Sequence, residues 1–263
     1  IVSMADYAGT WQTYNVTVSP NGSEKIGGVN TDVTLNTEGQ SVTLVYVDAV
    51  QGWVNTMDST SNVRAITFVT ATVSGACNTL VTAPDCANTK IATFVNPGTF
   101  CVSQVNPCAA NNLVSYMVVA GGGSGGGGQG LGGGGGAGGF RETKSPVTPY
   151  TASPQCGYAT PGNRITVTAT PYPIDVGAGG AGVGPSTRGN SGVNSTFSTI
   201  TSAGGGGGGG GSTSPLIGGI AGGSGGGGGE NSGCTGSGGG AGNTPPTTPA
   251  QGSNGGTGQS SCS

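Results

Sequence analysis

Residues 117–139 read Met117-Val118-Val119-Ala120 and then GGGSGGGGQGLGGGGGAGG, a strand-like run that passes without a break into glycine. The pattern returns as GAGGAGVG at Gly177–Gly184, as eight uninterrupted glycines at Gly204–Gly211, and as GGIAGGSGGGGG at Gly218–Gly229. Glycine supplies 59 of the 263 residues, against a usual share of about 7%. Collagen requires glycine at every third position with abundant proline, and neither feature is present. Two readings remain. Flexible linkers account for the composition, because glycine has no side chain to bury and loses much freedom on ordering. A packed array of polyglycine II helices accounts as well for the strand-like segments that separate the tracts. Such helices have three residues per turn and need neighbours to satisfy their backbone groups.

Upstream of this stretch the chain reads as an ordinary β protein. Tyr14–Val18 alternates and ends at the turn signal Ser19-Pro20-Asn21-Gly22, and Val33-Thr34-Leu35 and Val42–Val47 form the next pair of strands. Val42, Leu44 and Tyr46 share one face, while Val45 and Val47 make the other face apolar too, which predicts a strand covered on both sides in a sandwich, a prism or a subunit interface. Trp53 reads as a core anchor or as a carbohydrate-stacking ring. Arg64–Val73, Ile91–Val95, Leu113–Ala120, Arg164–Ala169 and Ser195–Thr201 are further predicted strands, and Phe140–Lys144 is the far end of a crossing.

The expected fold is all-β: small N-terminal β modules followed by a glycine-rich domain of strands and packed polyglycine II helices. The expected boundaries are 1–58 for a β module serving attachment or oligomerisation, 59–112 for a cysteine-containing β-rich module, 113–215 for the glycine-rich domain, and 216–263 for a low-complexity Gly/Pro/Ser/Thr tail.

Charged residues are 6% of the chain and the net charge is −3. With three lysines and four arginines there is no basic patch for a phosphate backbone, so nucleic-acid binding is not expected. No stretch approaches 18 consecutive apolar residues, which argues against a membrane span. The opening Ile1-Val2-Ser3-Met4-Ala5-Asp6 carries no visible secretory signal. The absence of histidine removes the commonest general base. Asp48, Asp58 and Asp85 are the carboxylates that could be paired for glycoside hydrolysis, but each falls at a strand edge or turn. No enzyme, cofactor or metal site is expected. No CxxC pair exists, and Gly132–Gly139 lacks the lysine and serine of a phosphate-binding loop.

Seven cysteines are present. The spacings Cys77 to Cys86 and Cys101 to Cys108 could close two short disulfide loops, with free thiols as the alternative; the odd count leaves at least one thiol over.

Ser115–Gly126, then Gly136-Ala137-Gly138-Gly139-Phe140, Ile165-Thr166-Val167 before Val176–Gly182, and Gly192–Phe197 before the Ala203-Gly204 run resemble the glycine-rich domain of tailed-phage tail-fibre and other virion structural proteins. Val16–Ser23 and Ser41–Trp53 are similar to short β modules of structural proteins of marine tailed phages. The resemblance implies a non-enzymatic fibre or appendage on the virion surface with a role in host adhesion. It also implies self-association as a homotrimer and contact with other virion proteins and a host-surface glycan or protein. Recognition would then fall to the loops 143–160 and 185–194, with Tyr150, Tyr158 and Arg188 as candidate contact residues. Tyrosine gives contact area at low entropic cost, although these rings could equally pack on the glycine body. A capsid or tail decoration (cement) protein, or a secreted cellular adhesin, is the alternative.

Overall fold

The computed structural model describes residues 1–59, 68–84, 86–106, 108–128, 131–211, 217–230 and 236–259. Contacts divide the chain into two units, 1–66 and 67–263. The protein is all-β. The cysteine-bearing stretch, the glycine tracts and the segment beyond 216 all fall in the second unit.

In the first unit the strands are β1 (Val2–Ala5), β2 (Val16–Val18), β3 (Val33–Leu35), β4 (Ser41–Asp48) and β5 (Gly52–Ser59). They form an antiparallel sheet in the order β1-β4-β5 and a separate β2–β3 pair. Alternation along β4 turns Val42 and Leu44 inward onto Leu35, with Met4, Val16, Val18 and Trp53 packed around them. Asp48 Oδ1 accepts from the amides of Val50 (2.9 Å) and Gln51 (2.7 Å) and so fixes the β4–β5 turn. Gly52 completes that turn at φ +70°, and a Cβ there would lie 1.9 Å from the Lys25 carbonyl oxygen. Trp53 packs against the core, stacks edge-on to Tyr46 at 5.6 Å and donates from Nε1 to Glu24 at 2.9 Å, so its role here is that of an anchor. Cover on both faces of β4 is not realised within the unit: Tyr46 and Val47 are exposed at the end that projects beyond the small core.

The second unit contains β6 (Thr70–Val73), β7 (Thr79–Ala83), β8 (Cys86–Thr93), β9 (Gly98–Gln104), β10 (Leu113–Val114), β11 (Tyr116–Val119), β12 (Phe140–Thr143), β13 (Ile165–Thr166), β14 (Pro171–Asp175), β15 (Ser195–Phe197) and β16 (Ile200–Ser202). Five of these form a sheet in the order β16-β15-β14-β9-β6, while β7–β8, β10–β13 and β11–β12 pair off. Phe197 is the centre of the core. Its ring meets Phe100, Tyr116 and Tyr172 edge-on at 6.3, 6.0 and 6.1 Å, and Val102, Ile165, Val167, Ile174 and Ile200 surround it.

Several predicted strands differ in detail. Ser195–Thr201 is a tight hairpin rather than one strand. Phe197 and Ile200 both belong in the core, and being three apart they cannot share a face of one strand. A turn at Ser198, with φ +54°, makes them cross-strand partners instead. Leu113–Ala120 breaks at Ser115, whose hydroxyl bonds Thr148 Oγ1 (2.7 Å) and accepts from the Ser145 amide (2.8 Å), so that β10 joins β13 and β11 joins β12. The segment expected over Arg64–Val73 is described only from 68 onward.

The proposed cysteine bridges are corrected. Cys77, Cys101, Cys108 and Cys156 are free thiols. Cys86 opens β8 opposite Ala83, at the tip of the β7–β8 hairpin, whereas Cys77 precedes Thr79 at its base. The hairpin separates them by roughly 16 Å at about 3.3 Å per residue, beyond the roughly 7 Å Cα limit for a disulfide. Cys101 lies within β9, paired with Thr72 and Pro171, and the strand carries the chain on to Gln104 before it turns toward Cys108. Asp85, Cys234, Cys262 and the side chain of Cys86 lie outside the described residues.

Candidate functional site

Strands launch or receive the first five glycine tracts. β11 continues into tract 1 (120–128), tract 2 (131–139) returns into β12, β14 leads into tract 3 (177–184), tract 4 (187–194) returns into β15, and β16 feeds tract 5 (203–211). Tracts 6 (217–221), 7 (222–230), 8 (236–243) and 9 (252–259) follow. Val119 faces Phe140 in the β11–β12 ladder, and the same register carries on as Ala120 N donates to Gly139 O, Gly123 N to Gly136 O and Gly126 N to Gly133 O. Ile174 likewise faces Phe197, and Val193 N donates to Ala178 O in unbroken register. Only the period changes, from two in the strands to three in the tracts, as a threefold polyglycine II helix requires.

Tract 5 is the centre of the array and is buried along its length. Its amides at Gly205, Gly208 and Gly211 donate to tract 1, at Gly206 and Gly209 to tract 7, and its carbonyls accept from tracts 2, 4 and 6. Steric contacts follow the same threefold rule. A Cβ on Gly204 or Gly207 would lie 2.0 Å from a carbonyl oxygen of tract 4, on Gly205 or Gly208 2.0 Å from one of tract 2, and on Gly206 or Gly209 1.8 Å from one of tract 6. All three faces of the helix meet backbone, so none has room for a side chain. This is the physical reason for an uninterrupted glycine run. Edge tracts need glycine less often: Gly189 and Gly192 in tract 4 and Gly252, Gly255 and Gly258 in tract 9 are the blocked positions, three apart, and tract 8 repeats the spacing at Gly236, Gly239 and Gly242 with Gly240 blocked as well, by the Ile220 carbonyl at 2.0 Å.

The array has two ends. At the strand end, the loop 243–251 and the segment 140–163 are pinned together by buried amides. Gln251, 1% exposed, accepts the Ala203 amide on Oε1 (2.8 Å) and donates from Nε2 to Pro245 O (2.8 Å), and its own carbonyl accepts from Phe140 N (2.8 Å). Asn163 donates to Thr248 O (2.8 Å) and accepts from Arg141 Nη2 (2.6 Å), while its carbonyl accepts from the Tyr116 hydroxyl (2.7 Å). At the opposite end lie the tract termini Gly128, Leu131, Gly211, Glu230 and Gly236, together with the exposed turn Gly184-Pro185-Ser186-Thr187.

Sequence reasoning grouped Tyr150, Tyr158 and Arg188 as a recognition set, and the structure does not bring them together. Tyr150 and Tyr158 stand in the loop after β12, at the strand end. Tyr150 is 41% exposed; its hydroxyl meets the Glu142 carboxylate and Lys144 Nζ lies 5.8 Å from its ring centre. Burial first, and then the Glu142 charge, push the Tyr150 phenol up to about 12. Glu142 is itself buried and accepts from the Ser153 amide (2.8 Å) and hydroxyl. Tyr158 is half-buried under the Arg164 guanidinium at 4.4 Å. Arg188 points into the array, donating from Nη2 to Gly219 O (3.0 Å), with its buried Nε unpartnered. The residues sequence reasoning missed are the pins Asn163 and Gln251, Asn243, whose Oδ1 accepts from the amides of Thr247 (3.0 Å) and Gln251 (3.1 Å), and the role of 236–259 as part of the array. The three-residue glycine spacing in that segment was the available signal.

Among the described residues no His/Cys/Asp/Glu group could hold a metal ion, and no helix is long and apolar enough to cross a membrane. A β scaffold that projects a bundle of threefold glycine helices defines a glycine-rich structural domain. Residues 95–262 match the family described as a glycine-rich domain, and the chain belongs to that family. No curated protein and no solved structure matches the chain.

Proposed function

We propose that this protein is a non-enzymatic virion structural protein of a tailed phage, a fibre or appendage component that contacts the host surface. The observation that carries this reading is the buried tract 5 at the centre of an array whose tracts run from the strand scaffold to one shared end. Hydrogen bonds between tract 5 and five neighbouring tracts make the body stiff, and stiffness is what a projecting adhesin needs in order to present short turns at a fixed position. The recognition surface is the end that carries Gly184–Thr187, rather than the loop with Tyr150 and Tyr158, whose rings are engaged by Glu142 and Arg164. The first unit holds the protein to the particle.

Immunogold labelling of particles that carry this chain, paired with adsorption of the labelled full chain to host cells, tests the proposal. Expected are label at a fibre or tail end and saturable adsorption that falls when Pro185, Ser186 and Thr187 are together replaced by alanine. Label spread over the capsid with no adsorption to cells would make the protein a decoration protein.

A further inference from the structure

The core of the first unit is not filled. Between the β1-β4-β5 sheet and the β2–β3 pair lies a cavity of about 380 Å³, with Met4, Val18, Ile26, Leu35, Val42 and Leu44 among its walls and Gln40, Asn55 and Asp58 at one side. Gln40 is 7% exposed; its Nε2 donates to Asp58 Oδ1 at 3.2 Å, and its buried Oε1 has no hydrogen-bond partner. An orphaned buried carbonyl is costly, and a donor from outside the unit would relieve it. Asp58 is exposed at the same place, its other oxygen 3.4 Å from Asn55 Nδ2. An acceptor and a carboxylate beside an apolar chamber complement a cationic donor on an aliphatic stem. Charge over the whole unit points the same way. Residues 1–59 carry Asp6, Glu24, Asp32, Glu38, Asp48 and Asp58 against Lys25 alone, while the remainder of the sequence has more bases than acids.

We infer that this cavity is a docking pocket for a lysine side chain, with its apolar neighbours, on an extended segment of a partner protein. The ammonium donates to Gln40 Oε1 and pairs with Asp58, and the butyl stem and flanking residues fill the chamber against Met4, Leu35 and Leu44. This deepens the attachment role given to the first unit and rests on it. Adsorption of the full chain to cells is scored separately, so loss of the pocket leaves the adhesin reading to stand or fall by its own test.

The sequence has three methionines, so a methyl-labelled spectrum of the full chain resolves Met4 in the pocket from Met117 in the second unit. The probes are N-acetyl-Val-Lys-Val-amide, the same peptide with norleucine in place of lysine, and n-hexylammonium. Expected is a saturable shift of the Met4 methyl by the lysine peptide with Met117 unmoved. Binding should be about tenfold weaker for the norleucine peptide, and weaker by a similar factor for the lysine peptide on Asp58→Asn, as for loss of one charged hydrogen bond. An unmoved Met4, or equal binding of the two peptides to the wild-type chain, overturns the proposal whether or not Asp58→Asn folds. Binding of n-hexylammonium without binding of the lysine peptide overturns it too, since the pocket would then take small amines rather than a protein.

Discussion

Gly207 packs against Gly189 so closely that a Cβ on Gly207 would stand 2.0 Å from the Gly189 carbonyl oxygen. The obstacle is backbone, itself held because the Gly189 amide donates to Gly208 O at 2.8 Å. Gly207→Ala is therefore expected to destabilise the second unit by about 3 kcal/mol or more, the upper range for overpacking where no flexible side chain can yield. Gly182→Ala, where a Cβ meets nothing within 4 Å, is expected to change stability by less than about 0.5 kcal/mol. Denaturant unfolding of both variants checks the contrast.

The edge tracts give a sharper version, because neighbouring residues differ in fate. A Cβ on Gly255 would lie 2.0 Å from Gly226 O, while one on Gly256 would meet nothing within 4 Å. Gly255→Ala should lower the thermal midpoint and Gly256→Ala should leave it in place. Equal effects would mean that tract 9 does not follow the threefold rule.

This rule shows how far the sequence could be read. The tracts identify themselves, and Met117–Ala120 running into glycine already shows a strand feeding a tract. Composition alone did not decide between linker and array, because both favour glycine; the decision lies in long-range hydrogen bonds such as Gly208 N to Ser124 O. The segment beyond 216 read as a tail because Ser237, Asn254 and Thr257 dilute its glycine. Those residues occupy edge tracts, in which positions such as Gly238 and Gly256 have open space where a side chain would stand. The hairpin at Ser198 was masked by a polar run with good strand propensity, and the three-residue offset of Phe197 and Ile200 was its only mark. The three recognition candidates lie apart in the structure because aromatic and charged residues in a loop carry no information about which end of the array the loop lies on.

Gln251 is the main polar pin at the strand end. Gln251→Leu keeps the volume but leaves the Ala203 amide and the Pro245 carbonyl without their partner. A loss of about 2–4 kcal/mol is expected for two buried groups unsatisfied together. Calorimetric unfolding of the variant reads it directly.

Tyr150 supplies a pH signature. Its pKa is raised to about 12 from 10.0 by burial and then by Glu142. The neutral phenol is thus favoured in the fold, and its stabilising contribution is complete below about pH 10 and lost as pH rises toward about 12. Burial raises the Tyr116 phenol as well, so ultraviolet titration should show late-ionising tyrosines whose number falls by one in Tyr150→Phe.

Hydrogen exchange at Gly204–Gly211 in the native chain tests the packed array most directly. The array predicts slow exchange at the Gly205, Gly206, Gly208, Gly209 and Gly211 amides, each of which donates to another tract. Exchange of these amides at random-coil rates would contradict it and return the glycine tracts to flexible linkers.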